Sequence, residues 1–423
     1  IMYNYPFLRY IEQITYRGRH PFARLEYEDR GLPVKTTMQA FTPFIPHNAK
    51  DSGLPLAFFV FDVENTGDAA CEASVLFSLR NCVGHELEEV PLRHTITRGD
   101  GLTRVNMEAD GIDAGLRTAG SMCVADITPA GDGESSFMRA WTDGRGLEGF
   151  PEPHAPAWSQ LFYALRDEGR LQDSEEPWRR TAERSEAELA QGALHMRRQP
   201  GWRWRGAVCR KVHLAPGETK RVVFMMSWFF PNHYHYADPD RRMGHMYENW
   251  FSGAQDVADY GAENFDRLLA ESRRFVDELY SGTLPEWFAD SLNAQLTTFP
   301  QGFWWTKEGA MAAWEGMACC QIIPNIHTIW SSWMPLMFFP EQYLQMKKSV
   351  AGFAGLGCAC EQDDSFLEAE HERRASKDQR RQGDLGGWFE KRYKKLGYPE
   401  DLFTSSGRDR SKRRSTFFVV SAT

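Results

Sequence analysis

Leu56-Ala-Phe-Phe-Val-Phe-Asp-Val63 is an apolar run rich in aromatic and β-branched side chains, a composition typical of a β-strand. Asn65-Thr-Gly67 ends the run with residues that favour turns. A second run, Ala73-Ser-Val-Leu-Phe-Ser-Leu79, follows after a gap that suits either a hairpin or a short connection between two sheets. The pattern predicts two neighbouring strands.

The same kind of pattern extends from residue 1 to about residue 240, where short alternating apolar runs are separated by Gly, Pro, Asn and Asp. Residues 207–213 and 221–228, for example, flank the turn sequence Ala215-Pro-Gly-Glu218. Repeated strand pairs of this kind indicate an antiparallel β-sandwich. We therefore predict a β-sandwich domain over residues 1–245.

The apolar period changes after His245. Apolar residues then recur at spacings of three and four, as in an amphipathic helix. They are Phe265, Leu268, Leu269, Phe275, Val276 and Leu279. We expect this helix to end at Ser281-Gly-Thr-Leu-Pro285, with Gly282 in the left-handed conformation, and a second helix to run from residue 286 towards residue 299.

A third apolar stretch, residues 328–353, contains Pro335 and Pro340 and should be a broken or kinked helix. Successive helices predict an all-α second domain over residues 246–353. Residues 354–423 differ from both domains, since nine of the fourteen residues 368–381 are charged and 408–414 are mainly basic. We predict that this tail is solvated or disordered.

Composition limits the classes of function. A chain of 423 residues with 42% hydrophobic content is long enough for two domains. Its 49 basic and 58 acidic residues are dispersed, and no basic face precedes residue 370, which argues against nucleic acid as a partner. No apolar run is long enough to cross a bilayer. The eight cysteines show no regular framework, so reduced thiols and a cytoplasmic location are expected, while the oligomeric state is left open.

Several segments, in this order along the chain, resemble glycoside hydrolase family 116, which includes bacterial β-glucosidases and non-lysosomal glucosylceramidases. The segments are Gly18-Arg-His-Pro-Phe-Ala-Arg-Leu-Glu-Tyr27, Ala40-Phe-Thr-Pro-Phe-Ile-Pro46, Asp51-Ser-Gly-Leu-Pro55, Gly244-His-Met-Tyr-Glu-Asn-Trp250, Thr283-Leu-Pro-Glu-Trp287, Trp304-Trp305, Trp314-Glu-Gly316 and Phe338-Phe-Pro-Glu341. The likeness covers residues 15–350 and does not include the tail.

The resemblance implies a β-sandwich packed on an (α/α)₆ barrel, here only the incomplete start of the barrel, and cleavage of a β-glucoside or glucolipid with retention of configuration. The family carries its nucleophile in the Trp-Glu-Gly motif, which corresponds to Glu315. Its general acid is an Asp further along, with no match here, so we expect a fragment that lacks this acid. No cofactor is implied.

Four residues near this motif are candidates for substrate binding. Trp304 and Trp305 have flat faces that suit the C–H bonds of glucose, although tryptophans in an all-α domain are more often part of the core. Trp314 can shield the Glu315 carboxylate. His327 can hydrogen-bond a sugar hydroxyl, but the family usually has an Asp beside this point.

Metal, phosphate-binding and serine-hydrolase sites have weaker support in the sequence. The pairs Cys319-Cys320 and Cys358-Ala-Cys360 lack zinc-site spacing, and the two histidines of Asn232-His-Tyr-His-Tyr236 lack further ligands, so no metal site is predicted. The sequence contains no Gly-rich phosphate loop and no Gly-x-Ser-x-Gly motif. The alternative to a glycosidase is a non-catalytic carbohydrate-binding or structural β-sandwich module.

Overall fold

Two antiparallel sheets dominate the first 230 residues. The structure is a computed structural model, and it describes residues 11–99, 101–142, 158–173, 194–198, 204–234, 240–313, 333–352 and 419–422. The strands in these ranges are β1 Gln13–Arg19, β2 Phe22–Glu28, β3 Val34–Phe41, β4 Leu56–Asn65, β5 Cys71–Arg80, β6 Val90–Gly99, β7 Leu102–Ala109, β8 Ser121–Asp126, β9 Glu134–Thr142, β10 Leu194–Arg198, β11 Trp204–Leu214, β12 Thr219–Phe229, β13 Phe303–Trp305, β14 Met311–Ala313 and β15 Val419–Ala422.

The larger sheet has nine strands in the order β1-β2-β3-β4-β12-β8-β7-β6-β10, and the smaller has four in the order β15-β5-β11-β9. The inner faces pack on each other through aromatic and β-branched residues. The Phe59 and Phe77 rings lie 4.5 Å apart, and Phe77 stacks on Phe224 at 5.8 Å. Fully buried residues of this layer include Phe61, Val63, Val75, Val105, Val124, Val208 and Val212. This packing confirms the antiparallel β-sandwich predicted for the front half of the chain.

The turns at residues 65–70 and 215–218 connect strands of different sheets. Strand β4 belongs to the larger sheet and β5 to the smaller, and the same holds for β12 and β11. Gly217 has φ 73°, a conformation that Gly adopts without a steric penalty. Of the two alternatives left open for the gap after Leu56–Asn65, the cross-sheet connection is therefore the correct one.

Helices cover the outer faces of the sandwich. Helix α1 is Ala49–Ser52, α2 is Trp158–Glu168, and α3 is Ala254–Tyr280. Leu161 and Leu165 of α2 are buried against the smaller sheet, whereas α3 packs on the larger one. Strand β4 is thus covered on both faces, which explains why its sequence is an almost continuous apolar run.

Within the described ranges, the helices that follow are α4 Glu286–Gln295, α5 Thr298–Gly302, α6 Trp333–Phe338 and α7 Pro340–Gly352. The long amphipathic helix, the stop after it and the break before Pro340 agree with the sequence-based expectations. The expected second helix is divided in two, and the prediction for Gly282 is wrong, because Ser281 ends α3 in the right-handed conformation with φ −81° and Gly282 has no positive φ.

Strand β15 pairs with β5, so four residues of the charged tail lie on the smaller sheet. The rest of the expected tail lies outside the described residues. The (α/α)₆ barrel stays a prediction. Within the described ranges, every helix is too short or too polar to span a bilayer.

Candidate functional site

A cavity of about 480 Å³ lies where the end of β3, helix α1 and the helical segments after α3 meet. Its wall comes from six parts of the chain that are separated in sequence. The lining residues are His20, Thr42, Pro43, Phe44, Ala49, Ser52, Gly53, Leu54, Pro55, Trp228, His245, Met246, Tyr247, Phe299, Pro300, Phe303, Trp305, Met311, Phe339 and Gln342. The volume falls in the range of small-molecule sites, about 300–1,000 Å³.

Aromatic rings form one side of the cavity. The Phe44 ring lies 5.6 Å from Phe299 and 5.5 Å from Phe339, with tilted and edge-on geometries. Phe299 stacks on Phe303 at 5.0 Å. Phe44, which follows strand β3, therefore contacts helix α5 and the residue before α7. This aromatic cluster connects the sandwich to the helices.

The two predicted aromatic contacts differ in position. Trp305 lines the cavity, and its ring lies 5.5 Å from Trp250. The Trp304 ring instead lies 4.5 Å from His233 and does not line the cavity. Successive side chains of a strand point to opposite faces, which accounts for the separation of these neighbours in β13.

The remaining predicted site residues, Trp314, Glu315 and His327, lie outside the described residues. Trp314 directly follows strand β14 in sequence. This strand pairs with β13, with Met311 opposite Trp305, and ends at Ala313. Met311 lines the cavity, so the motif with the predicted nucleophile begins three residues after a residue of the cavity wall.

His20 is a lining residue that sequence reasoning missed. Asn293 of α4 fixes its backbone, since the His20 amide donates to Oδ1 at 2.6 Å and Nδ2 donates to the His20 carbonyl at 2.8 Å. Its ring meets Phe44 edge-on at 4.9 Å. Burial lowers the pKa of His20 to about 4, and within the described part of the chain Nε2 is buried without a hydrogen-bond partner. His20 is therefore neutral at pH 7.

His245 and the start of a short 3₁₀ helix, Met246–Asn249, supply a further part of the wall. Burial, as the largest cause, lowers the pKa of His245, whose ring stacks on Tyr247 at 5.0 Å. The Tyr247 hydroxyl donates to the Phe230 carbonyl at 2.7 Å. Glu248 accepts the His245 amide at 2.7 Å and pairs with Arg242 at 2.5 Å. These contacts hold the wall rigidly and leave the Glu248 charge outside it.

Asp51 fixes the end of helix α1 and the loop that begins at Gly53. It accepts hydrogen bonds from the Tyr260 hydroxyl at 2.7 Å, from Arg267 at 2.8 Å and from Asn48 at 2.7 Å. Burial alone would raise the pKa of Asp51, but the hydrogen bonds from Arg267 and Tyr260 lower it below its usual value. The carboxylate thus ties the cavity loop to helix α3.

The chemistry of the described wall is that of a neutral, largely apolar site. It contains no Asp, Glu, Lys or Arg, and its two histidines have lowered pKa values. Such a wall can bind and orient an uncharged group. A carboxylate for acid–base or nucleophilic chemistry has to come from residues beyond it.

Most of the segments that resemble glycoside hydrolase family 116 also contribute residues to the cavity wall. Lining residues come from segments 18–27, 40–46, 51–55, 244–250, 304–305 and 338–341. The family model described as "beta-glucosidase 2, glycosyl-hydrolase family 116 N-term" matches residues 3–268. The chain belongs to glycosyl-hydrolase family 116. The match covers more than half of the chain and confirms the resemblance.

Among solved structures, this family 116 chain matches a putative kojibiose phosphorylase from human microbiome. The identity is 7% and the TM-score 0.26, over 63% of this chain and 25% of that protein. The family 116 chain thus spans about a quarter of that protein's length.

Proposed function

We propose that this family 116 chain acts in the cleavage of β-glucosides with retention of configuration, as a β-glucosidase of the glucosylceramidase-like kind, and that Glu315 is the nucleophile. One observation carries the proposal. Segments distant in sequence, from His20 to Phe339, converge on one cavity, and Trp314-Glu-Gly316 follows in sequence directly after strand β14, whose Met311 lines that cavity.

Retaining cleavage uses two carboxyl groups about 5 Å apart. In the proposed reaction, the ionised Glu315 attacks the anomeric carbon, the bond to the leaving oxygen breaks, and a second carboxyl group protonates that oxygen. Water then hydrolyses the glycosyl ester and restores Glu315. Trp305 supplies an aromatic surface to the bound substrate, and Trp314 and His327 are proposed as further substrate contacts beside the carboxylate.

A labelling experiment tests the nucleophile. We expect a 2-deoxy-2-fluoroglucoside with a good leaving group to trap a glycosyl ester, detected by mass spectrometry on a peptide containing Glu315. Glu315→Gln should abolish the label. Glu308→Gln is the matched control, because Glu308 is an exposed residue of the β13–β14 turn and should leave labelling unchanged. Labelling of a different carboxylate contradicts the assignment.

Substrates with different leaving groups test whether a second carboxyl group acts as a general acid. No residue of this chain matches the acid Asp of the family, so we expect activated aryl glucosides to react and alkyl glucosides to react poorly. Loss of general acid catalysis typically costs a factor of about 10² to 10⁴ in rate. Equal rates for aryl and alkyl glucosides would show that an acid does act in this chain.

A second candidate function is a non-catalytic carbohydrate-binding or structural module. The observation that favours it is the wall of the cavity, which has no carboxylate among the described residues. Binding of β-glucosides without any labelling or turnover would support this candidate over the first.

A further inference from the structure

We propose that the open side of the smaller sheet is a docking site for one extended polypeptide strand of a partner, with large apolar side chains at alternate positions. This β5 groove consists of the edge of β5 and the inner faces of β1 and β2. The tail strand β15 occupies part of it in the structure. The inference does not depend on the proposed glucosidase function.

The edge of β5 differs from the other sheet edges in its chemistry. Proteins usually protect an edge strand from further pairing with charged residues, prolines or bulges. From Ala73 to Leu79, β5 contains neither a charge nor a proline. Strands β1, β9 and β10 lie at the other edges, and each carries two charged residues. These are Arg17, Arg19, Glu134, Arg139, Arg197 and Arg198. Among these strands, β5 is therefore the best suited to accept a further strand.

Strand β15 shows that this edge accepts an extended segment. The two strands are antiparallel, with Val419 opposite Leu76 and Ala422 opposite Ala73. Strand β11 pairs with all ten residues of β5 on the other side, whereas β15 pairs with four. Main-chain pairing of this kind is the basis of peptide recognition by β-strand addition. A longer strand can therefore compete with β15 for this edge.

The larger sheet limits what can enter the groove. It has nine strands and the smaller sheet has four. The ring of Phe59 in β4 meets that of Phe77 in β5 at 4.5 Å, so β3, β2 and β1 project past β5. At about 4.8 Å per strand the projection is about 14 Å, and packed sheets lie about 10 Å apart. A second β-sandwich would collide with the projecting strands, whereas an extended segment fits beneath them.

The projecting strands present an apolar inner face. Ile14 lies opposite Tyr27, and Tyr16 lies opposite Leu25, so these four side chains share one face of the sheet. Leu25 and Tyr27 pack against the core of the sandwich, whereas Ile14 and Tyr16 are 54% and 65% exposed. Burying this surface favours binding. Since β1 and β2 lie beyond the position of a single added strand, only large side chains of the partner reach this face.

The register of β5 sets the chemistry of the partner strand. Partner residues opposite Val75 face the larger sheet, whereas those opposite Leu76 face helix α2. Large apolar residues are therefore needed only at alternate positions. At the ends of β5, Glu72 pairs with Lys211 at 2.7 Å, whereas Arg80 favours an acidic partner residue opposite it.

A fluorescent peptide with the sequence of residues 415–423 tests the groove by anisotropy, with the whole chain as the receptor. Val419→Pro/Val420→Pro removes two main-chain donors of β15. Because the tail no longer competes, this variant should bind the peptide about tenfold more tightly than the unaltered chain does. Val419→Thr/Val420→Thr is the matched control, since it keeps both donors and both β-branched side chains, and it should behave as the unaltered chain.

Two peptides of equal composition test the register. The register of β15 places residue 420 opposite Val75 and residue 419 opposite Leu76. The Val420→Phe peptide should therefore bind about threefold or more tightly than the Val419→Phe peptide. Continued along the strand, the same register places residue 415 opposite Arg80, so the Ser415→Glu peptide should exceed the Ser415→Lys peptide by about two- to fivefold. Both comparisons also apply to the unaltered chain, so they remain decisive if the proline variant fails to fold.

A variant of the chain tests the apolar face. Tyr16→Asp should weaken the Val420→Phe peptide by about threefold or more, because it places a charge on the surface that the phenylalanine contacts. Tyr163→Asp, at an exposed position of α2, is the control and should leave binding unchanged.

Three outcomes overturn the proposal. Equal binding of the two phenylalanine peptides shows that no fixed register exists, and unchanged binding by Tyr16→Asp shows that the inner face takes no part. A proline variant that self-associates in sedimentation and binds no peptide shows that a second copy, and not an extended partner strand, pairs with the edge.

Discussion

Asp51 illustrates how one residue couples the cavity to a remote helix. Its carboxylate is 2% exposed and joins the loop of Ser52 and Gly53 to Arg267 and Tyr260 of α3. Because this carboxylate is ionised in the folded state and hydrogen-bonded on both oxygens, its loss affects the loop and the helix together.

We predict that Asp51→Asn lowers the free energy of unfolding by about 1–3 kcal/mol at pH 7, because Arg267 loses its charged acceptor. The pKa of Asp51 is lowered on folding, so its contribution is present above its unfolded pKa and lost as the pH falls through the lower, folded value. The difference from the unaltered protein should therefore shrink below about pH 4. Urea denaturation measures both effects.

The matched control is Glu278→Gln, which breaks an exposed pair with Arg274 on the same helix, with side chains 67% and 76% exposed. Its effect should stay below about 0.5 kcal/mol. If Asp51→Asn changes stability no more than this control, the loop is not held by the carboxylate.

His94, like Asp51, makes the protein less stable as the pH falls. The cause differs, because His94 is buried as a neutral imidazole whereas Asp51 is hydrogen-bonded as a charged carboxylate. His94 is fully buried, its Nδ1 is 2.6 Å from the Arg139 carbonyl, and burial lowers its pKa to about 4. The unfolded chain binds a proton near pH 6.5, whereas the folded chain does so only near pH 4. Stability is therefore complete above pH 6.5 and falls between pH 6.5 and 4.

We predict that His94 contributes about 3 kcal/mol to this loss, and that His94→Gln reduces the dependence of unfolding free energy on pH over that range, leaving the part that the lowered pKa of His20 causes. Urea denaturation of His94→Gln and of the unaltered protein between about pH 4 and pH 7.5 measures the two slopes. Identical slopes for the two proteins would rule out His94 as a titrating group.

Only part of the candidate site could be predicted from the identities of its residues. Trp305 was predicted as a substrate contact and lines the cavity, whereas its neighbour Trp304 lies against His233. The sequence could not separate them, because both are equally aromatic and only the strand direction tells their faces apart. Nothing in the sequence marked His20 itself as a site residue, although its segment 18–27 is one of those that resemble the family.

At the scale of elements, helix α3 approaches the larger sheet closely at Gly261. A Cβ atom there would lie 2.7 Å from the Met225 sulfur and 2.8 Å from Leu56 Cδ2. These distances are too short for real contacts, so a larger side chain has to displace the buried Met225 and Leu56 side chains or move the helix away from the sheet. The glycine is thus explained by the packing of helix on strand.

We predict that Gly261→Val destabilises the protein by about 1–3 kcal/mol through overpacking, even though Val has the better helix propensity. Gly282→Val is the control, because the nearest atom to its Cβ is 3.9 Å away, and it should change stability by about 0.5 kcal/mol or less. Thermal unfolding of both variants measures the difference. A Gly261→Val protein as stable as the control would mean that the helix does not sit this close.

Element types were largely predictable and their partners were not. The apolar runs of β4 and β5 and the period of α3 follow directly from side-chain spacing. Nothing local tells whether a turn such as 215–218 closes a hairpin or changes sheets, because that depends on which faces are buried. The division of residues 286–299 into α4 and α5 likewise follows from the contacts of Leu296 and Phe299 with Phe44.

At the scale of the whole molecule, the apolar spacing changes from strand-like to helix-like at residue 245, but packing on the larger sheet continues past that residue into helix α3. The change from strand to helix spacing predicted a domain boundary there. Yet Val257, Ala258 and Leu268 of α3 are fully buried against β4 and β12 of the larger sheet. Sequence period reports the type of element, whereas only packing shows to which core an element belongs.

We therefore predict that a chain of residues 1–281 unfolds cooperatively, and that a chain of residues 1–245 has a lower midpoint and binds an apolar dye. The shorter chain lacks α3, so Phe58 and Met225 on the outer face of the larger sheet become exposed to water, and the Arg104–Asp259 ion pair at 2.5 Å is lost. Leu268→Asp in the longer chain should reproduce the behaviour of the shorter one, because it undocks the helix at constant length. Arg274→Asp, at an exposed position of the same helix, should not. Equal midpoints for the two chains would mean that the sandwich is complete at residue 245 and that α3 belongs with the helices that follow it.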